Sequence, residues 1–199
     1  MSSSIYEYLK NSNKIVGIDK KIHPYVPTYK DLDEIKDVDV VIDFSGEDGY
    51  LHLLKAISRK INVFSGTTNY TLEQIKLLQD LAKENNTIFV WKPNFAKGVD
   101  DLLKLVNVIS TDFDSCDIIE IHAATKIDIP SGTAKMIKEV LNNKNDIKSL
   151  RLEKTNPIHE IIFYGGDERI IVTHEILNKQ AFVKGLINEM KKCGVDVEW

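Results

Sequence analysis

Val38 to Phe44 reads Val-Asp-Val-Val-Ile-Asp-Phe, a continuous apolar, β-branched run that ends in an acid. Such a run suits a strand buried on both faces, as in a parallel sheet. The flanking segments repeat the theme. Ser2 to Leu9 reads as a short helix with Ile5 and Leu9 at i, i+4 spacing, and Lys14 to Asp19 (KIVGID) as a strand. Downstream, a helix over Gly49 to Lys60 precedes a strand over Ile61 to Phe64. Thr71, with Gln74 three residues on, forms a capping box for the next helix. Ile88 to Trp91 is a further strand, followed by Lys92-Pro93-Asn94-Phe95. Strands alternating with helices imply βαβ units and a mostly parallel sheet, with ligands at the carboxyl ends of the strands. Those ends are Asp19, Phe44-Ser45, Gly66-Thr67-Thr68 and Asn94-Phe95.

After Phe95 the pattern changes. A helix over Gly98 to Ser110 leads to a strand over Asp117 to Ala124, then a Pro-Ser-Gly-Thr turn and a helix to Leu141. Asn142 to Asp146 reads as a loop. Ser149–Leu152, His159–Tyr164 and Glu168–Glu175 read as strands, the last two joined through Gly165-Gly166-Asp167 as an antiparallel hairpin. A helix over Lys179 to Lys192 closes the pattern. The expected fold is therefore α/β. A Rossmann-like parallel-sheet domain (1–95 with 176–199) is joined to a smaller α+β domain with a mixed or antiparallel sheet (96–175).

Composition narrows the classes of function. Of 199 residues, 43% are hydrophobic and 28% charged, an ordinary globular balance, and the net charge of −4 comes with no basic stripe. Nucleic acid is not an expected partner. No apolar run reaches the length of a membrane span, so no membrane partner is expected. Two isolated cysteines, Cys116 and Cys193, argue against a disulfide framework or a zinc site and fit a reducing cytoplasm. No metal is expected: His174-Glu175 is not followed by a second histidine at helical spacing, and His23, His52 and His159 read as structural or solvated.

Chemistry concentrates in Glu120 to Ala134, EIHAATKIDIPSGTA. His122 shares a strand face with Ile118 and Glu120 because side chains alternate. Imidazole is suited to proton transfer near neutral pH, although a lone strand histidine has no such role by default. Ser131, Gly132 and Thr133 open a helix, where unpaired N–H groups and hydroxyls make an anion site; an ordinary capping turn uses the same residues. Lys126 beside that turn favours a bound carboxylate or phosphate. Asp19 with Lys20 and Lys21 stands where a dinucleotide fold places its ribose-binding acid, or is a solvated strand end. Gly66-Thr67-Thr68 is a tight turn with hydroxyls, or a plain loop.

These residues resemble the 4-hydroxy-tetrahydrodipicolinate reductase (dihydrodipicolinate reductase) family. Its pattern E-x-H-H-x-x-K-x-D-A-P-S-G-T-A is met in register by Glu120, His122, Lys126, Asp128, Pro130, Ser131, Gly132, Thr133 and Ala134. Val41 to Ser45 resembles the family's V-I-D-F-[ST], Gly66-Thr67-Thr68 its G-T-T, and Asn94-Phe95 with Gly98-Val99 its N-F-S-x-G-[VI]-N. Ser149-Leu150-Arg151 and His159 to Phe163 fit two later motifs. The resemblance implies reduction of an unsaturated cyclic imine dicarboxylate with NADPH or NADH, in lysine and diaminopimelate biosynthesis. His122 would donate the proton, with Lys126 as second catalytic cation. Ala123, Lys126, Ser131, Gly132 and Thr133 would bind substrate. Asp19, Lys20, Phe44, Gly66, Thr67, Thr68, Lys92, Pro93, Asn94 and Phe95 would bind the cofactor. A homo-oligomer, in the family a homotetramer, is implied as well.

The chain also departs from the pattern. Ala123 replaces the second histidine, Leu152-Glu153 a glycine pair, and Lys148 a histidine. The family pattern begins with a strand and G-x-x-G-x-M-G, so about a dozen upstream residues are expected beyond Met1-Ser2. These departures define the alternative, a non-catalytic relative that retains a dicarboxylate site or an oligomer interface.

Overall fold

A computed structural model describes residues 1–142 and 146–196. The loop expected over Asn142–Asp146 thus lies, at 143–145, outside the described residues. The chain divides into two compact units, Met1–Pro93 with Leu186–Trp199, and Asn94–Gly185.

The first unit begins with α1 (Ser2–Leu9), which buries the expected Ile5 and Leu9. Two short strands, β1 (Gly17–Ile18) and β2 (Thr28–Tyr29), pair in parallel. The strand expected over Lys14–Asp19 is thus only two residues long, because its one ladder partner offers only Thr28 and Tyr29. That partner has no sequence signal, since Pro27 immediately before it reads as a turn. β3 (Val40–Asp43), β4 (Asn62–Ser65) and β5 (Phe89–Trp91) form a separate parallel sheet in that order. A cavity of about 160 Å³ is lined by Ile18 of β1, by Val16 just before it and by Val40 to Asp43 of β3.

The connections are helical for the reasons read in the sequence. α2 (Tyr50–Ser58) buries Leu53, Ala56 and Ile57, and α3 (Leu72–Glu84) buries Ile75, Leu78 and Ala82. Each set recurs at the i, i+3, i+4 or i+7 spacing of one helix face. They form one core with Val63 of β4, each fully buried Leu or Ile contributing roughly 1.5–3 kcal/mol. The Thr71–Gln74 capping box is present in both directions. A second box, Asp31 with Glu34, starts a single 3₁₀ turn, and Arg59 reaches back to the carbonyls of Leu32 and Ile35.

The second unit is built on a four-stranded mixed sheet, ordered β7 (Lys148–Leu152), β6 (Ser115–Ala123), β8 (Ile158–Gly165), β9 (Glu168–Glu175). β6 and β7 are parallel; the other two pairings are antiparallel. The hairpin between β8 and β9 forms as expected, with Gly165 opposite Glu168, so that Gly166-Asp167 is a two-residue link. α4 (Lys97–Ile109) and α5 (Gly132–Val140) pack Leu102, Val106 and Ile137 onto Ile118, Ile161 and Phe163. Alternation then decides the site: the face that buries Ile118 also turns Glu120 and His122 inward.

α6 (Gln180–Lys192) contains a glycine with a structural reason. A Cβ on Gly185 would lie 1.7 Å from the carbonyl oxygen of Phe95. In an open helix, Gly→Ala stabilises by about 1 kcal/mol. Here Gly185→Ala should reverse that sign and lower the melting temperature, as differential scanning calorimetry would report. An unchanged or raised melting temperature would mean that α6 is free to shift.

Candidate active site

The centre of the second unit is a carboxylate inside the protein. Glu120 is fully buried, yet every partner it needs is present. Ser131 donates its backbone N–H to both oxygens at 3.1 Å, and Arg151 donates from Nη2 to Oε1 at 3.0 Å. His122 Nδ1 lies 3.3 Å from Oε2, close enough for charge attraction but short of hydrogen-bond alignment. Burial alone would push this carboxyl's pKa up. The contacts with His122, Ser131, Ser149 and Arg151 outweigh it and hold the group well below the usual carboxylate range, so it stays ionised.

Arg151 comes from β7, where it is the register partner of His122. Its remaining donors go to the carbonyls of Asp128 (2.7 Å), Leu150 (2.9 Å) and Lys126 (3.3 Å). His159, opposite Glu120 on β8, is 1% exposed; its Nε2 lies 3.2 Å from Ser131 Oγ. Its ring meets His122 edge-on at 5.3 Å and stacks on His174 at 6.5 Å. His159 therefore belongs to the buried row. Nothing in its own stretch of sequence says so; the signal is its pairing with Glu120 across two strands. The ligand atoms of Glu120, His122 and His159 all lie within 4.8 Å of one another, a spacing a metal ion could bridge. The Arg151 guanidinium on Glu120 opposes a second cation there.

The turn expected to cradle an anion is more committed than its composition suggests. Ser131 Oγ accepts from the Ala134 N–H as a helix cap. Thr133 Oγ1 accepts from Asn94 Nδ2 at 2.9 Å, and Asn94 Oδ1 in turn accepts from the Ala96 N–H. Both oxygens act here as acceptors, and an accepting hydroxyl keeps its own O–H as a donor, so neither contact conflicts with a part in an anion site. The turn also offers the N–H pair of Gly132 and Thr133, the first helical positions of α5, which have no intrahelical acceptor. Lys126 has a partner of its own. Its amine is paired with both oxygens of Asp128, at 2.7 and 2.9 Å. Burial would raise the Asp128 pKa, but this ammonium brings it below the usual value. Ala123 ends β6 beside His122 and is half-buried.

In the first unit the expected cofactor residues stand at strand ends. Gly66 follows β4 against the Phe44 ring, where a Cβ would fall 2.1 Å from a ring carbon. Thr67 Oγ1 is buried with no hydrogen-bond partner, and the Thr67 carbonyl accepts from the Trp91 indole at 2.7 Å. An unpartnered hydroxyl on a tight turn suits the amide or sugar of a nucleotide. Asp43, at the end of β3, accepts from the Ser45 N–H (3.0 Å) and from the hydroxyls of Ser45 (2.5 Å), Ser65 (2.6 Å) and Tyr70 (3.0 Å), tying the ends of β3 and β4 together. Asp19 is half-exposed and accepts from the Lys21 N–H and His23, which lower its pKa. Lys20 pairs with Asp48, and Lys92 with Glu189 at 3.1 Å. Thr68 is exposed and bonds its neighbour Asn69. Pro93 follows β5; Asn94 and Phe95 belong to the second unit, where Phe95 is buried.

Comparison with known proteins gives a consistent picture. The family model described as "Dihydrodipicolinate reductase, N-terminus" matches residues 6–95, and that described as "Dihydrodipicolinate reductase, C-terminus" matches residues 95–197. The 4-hydroxy-tetrahydrodipicolinate reductase of Rickettsia bellii is 34% identical over 193 residues, covering 84% of this chain and 76% of its own. That of Caldanaerobacter subterraneus subsp. tengcongensis is 32% identical, covering 89% and 80%. A dipicolinate-bound dihydrodipicolinate reductase from Paenisporosarcina sp. TG-14 shares the fold. Its TM-score is 0.73 at 24% identity, with 98% of this chain and 91% of the other covered.

The buried row has a consequence for pH. Burial, then the neighbouring His122 charge, lowers the His159 pKa from 6.5 to about 3, with His174 and Lys126 acting in the same direction against Glu120. The folded protein keeps this ring neutral, while the unfolded chain takes up a proton below about pH 6.5. The stability His159 contributes is thus present above pH 6.5 and is lost as pH falls toward 3. His159→Gln should flatten the urea-melt stability profile between those values. A variant profile as steep as the parent's would place the acid sensitivity elsewhere.

Proposed function

The chain belongs to the dihydrodipicolinate reductase family, and we propose that it reduces 4-hydroxy-tetrahydrodipicolinate with a pyridine nucleotide, NADPH or NADH, in lysine and diaminopimelate biosynthesis. The observation that carries this reading is His122 held against the buried Glu120 carboxylate on the strand that leads to the Lys126 loop. The nicotinamide supplies the hydride; the chain's own residues place the substrate and move a proton. With Nδ1 turned to Glu120, Nε2 of His122 is the atom that exchanges the proton. The N–H groups of Gly132 and Thr133 take one carboxylate of the substrate at the start of α5. Lys126 takes the other, exchanging Asp128 for a substrate carboxylate, so one ion pair replaces another. Ser131 supports this site through its cap rather than by touching the substrate, and Ala123 offers only backbone and a methyl group.

On this reading the unit containing β3, β4 and β5 holds the nucleotide and the unit containing β6 holds the substrate. Asp19 and Lys20 would meet the adenosine ribose. Phe44, Gly66, Thr67, Thr68, Lys92, Pro93, Asn94 and Phe95 would serve the nicotinamide side. The unpartnered Thr67 hydroxyl supports that assignment.

If His122 donates the proton, His122→Gln should lower kcat by about 10²–10⁴-fold and leave KM far less changed. Near-normal turnover by the variant would remove His122 from the mechanism.

Self-association is part of the same proposal. The sheet face away from α4 and α5 carries Leu150, Leu152 and Ile171, each close to half exposed, with Ile162 the register partner of Ile171 and Ile121 that of Leu150. An apolar sheet face of this kind suits burial against further copies of the chain. Light scattering should return a multiple of the chain mass, reduced by Ile171→Lys. A monomer at tens of micromolar would overturn this part.

A further inference from the structure

The Lys126 loop and the α5 turn share a fastening that none of their own side chains supplies. Arg151 holds the carbonyls of Lys126 and Asp128, the two ends of the short segment that carries the Lys126 amine. The same guanidinium grips Glu120, and Glu120 grips the Ser131 N–H immediately before Gly132 and Thr133. Glu120 stands two residues from His122 on β6, and Arg151 is the register partner of His122 on β7. One ion pair thus meets four segments: β6, β7, the Lys126–Asp128 loop and the start of α5.

We propose that the buried Arg151–Glu120 pair is a positioning clamp that sets His122, Lys126 and the Gly132–Thr133 N–H groups at working distance from one another. The proposal rests on the reading that Lys126 and those N–H groups touch the substrate. Neither member of the clamp is a catalytic residue.

Geometry requires both members. The planar guanidinium directs Nε and Nη2 along fixed, divergent lines toward two loop carbonyls and a carboxylate at once. An ammonium, with its donors on a single atom, cannot reproduce that fork. Glu120, with 0% exposure, has no water to replace a lost partner. Removing either charge leaves the other buried and unpaired, whereas replacing both by neutral groups of similar volume restores stability. That asymmetry separates positioning from mere support of the fold, because the neutral pair cannot bridge the four segments.

The test measures melting temperature, kcat and affinity for pyridine-2,6-dicarboxylate, a planar dicarboxylate mimic of the substrate. The variants are Lys126→Ala, Arg151→Lys, Glu120→Gln and the double variant Glu120→Gln/Arg151→Met. Arg151→Lys should weaken pyridine-2,6-dicarboxylate binding by about 10–100-fold, the range seen when a supporting partner behind a site is removed, and lower kcat with it. The double variant should regain the melting temperature lost by the single variants but regain neither kcat nor affinity. Full recovery of turnover and affinity along with stability would overturn the clamp and leave the pair a structural one. So would parental affinity in Arg151→Lys while Lys126→Ala binds weakly. Parental affinity in Lys126→Ala would strike first at the substrate reading, and the clamp, which depends on it, would fall for that separate reason. Should the single variants fail to fold, the double variant alone still decides.

Discussion

A charge kept inside a sheet is the constraint on which the second unit depends. An isolated carboxylate in a protein interior costs several kcal/mol unless it is paired and hydrogen-bonded. Glu120 meets that condition with a guanidinium from β7 and a backbone N–H from the turn before α5. The groups that satisfy Glu120 come from segments far apart in sequence, so satisfying it brings them together. His159, opposite Glu120 on β8, stays neutral for the same reason: the interior has room for one compensated charge pair, not for a second cation.

The first unit uses a related device with milder chemistry. Asp43 ends β3 and is almost fully buried. It collects three hydroxyls and one N–H, all uncharged, and so fixes the ends of two parallel strands and Tyr70 beyond the Gly66–Thr68 turn. The Tyr70 hydroxyl pays for its place there: burial, then the Asp43 charge, raises its pKa and keeps it a donor. In both units a strand-borne acid shapes the neighbouring turn from beneath. Among the groups these networks do not consume are Thr67 Oγ1 in one unit and the Gly132 and Thr133 N–H groups at the start of α5 in the other.

Competition for partners also separates residue types from residue roles. Serine, threonine and lysine near a helix start suggest an anion site by composition. In the folded chain Ser131 caps its own helix, Thr133 receives Asn94, and Lys126 holds Asp128. Each polar group finds the nearest satisfactory partner, because an unpaired one is expensive away from water. What remains open is the backbone N–H pair and those hydroxyl hydrogens that an acceptor role leaves unused.

The sequence by itself determined the order of the main elements, the two kinds of sheet and the face that Glu120 and His122 share. Those features depend on local rules: period-2 and period-3.6 burial, a Thr71–Gln74 capping box, a glycine hairpin at 165–167, and alternation that turns Glu120 and His122 to one face. Local rules could not reveal the two-residue pairing of Gly17–Ile18 with Thr28–Tyr29, because a ladder's length is set by its partner. Nor could they place His159 beside Ser131, Asn94 on Thr133, or Arg151 across Glu120 and the Lys126 loop. Those contacts span 25 to 39 residues of chain. They form only when strand register and helix packing bring the groups into one buried space, where each must find a partner.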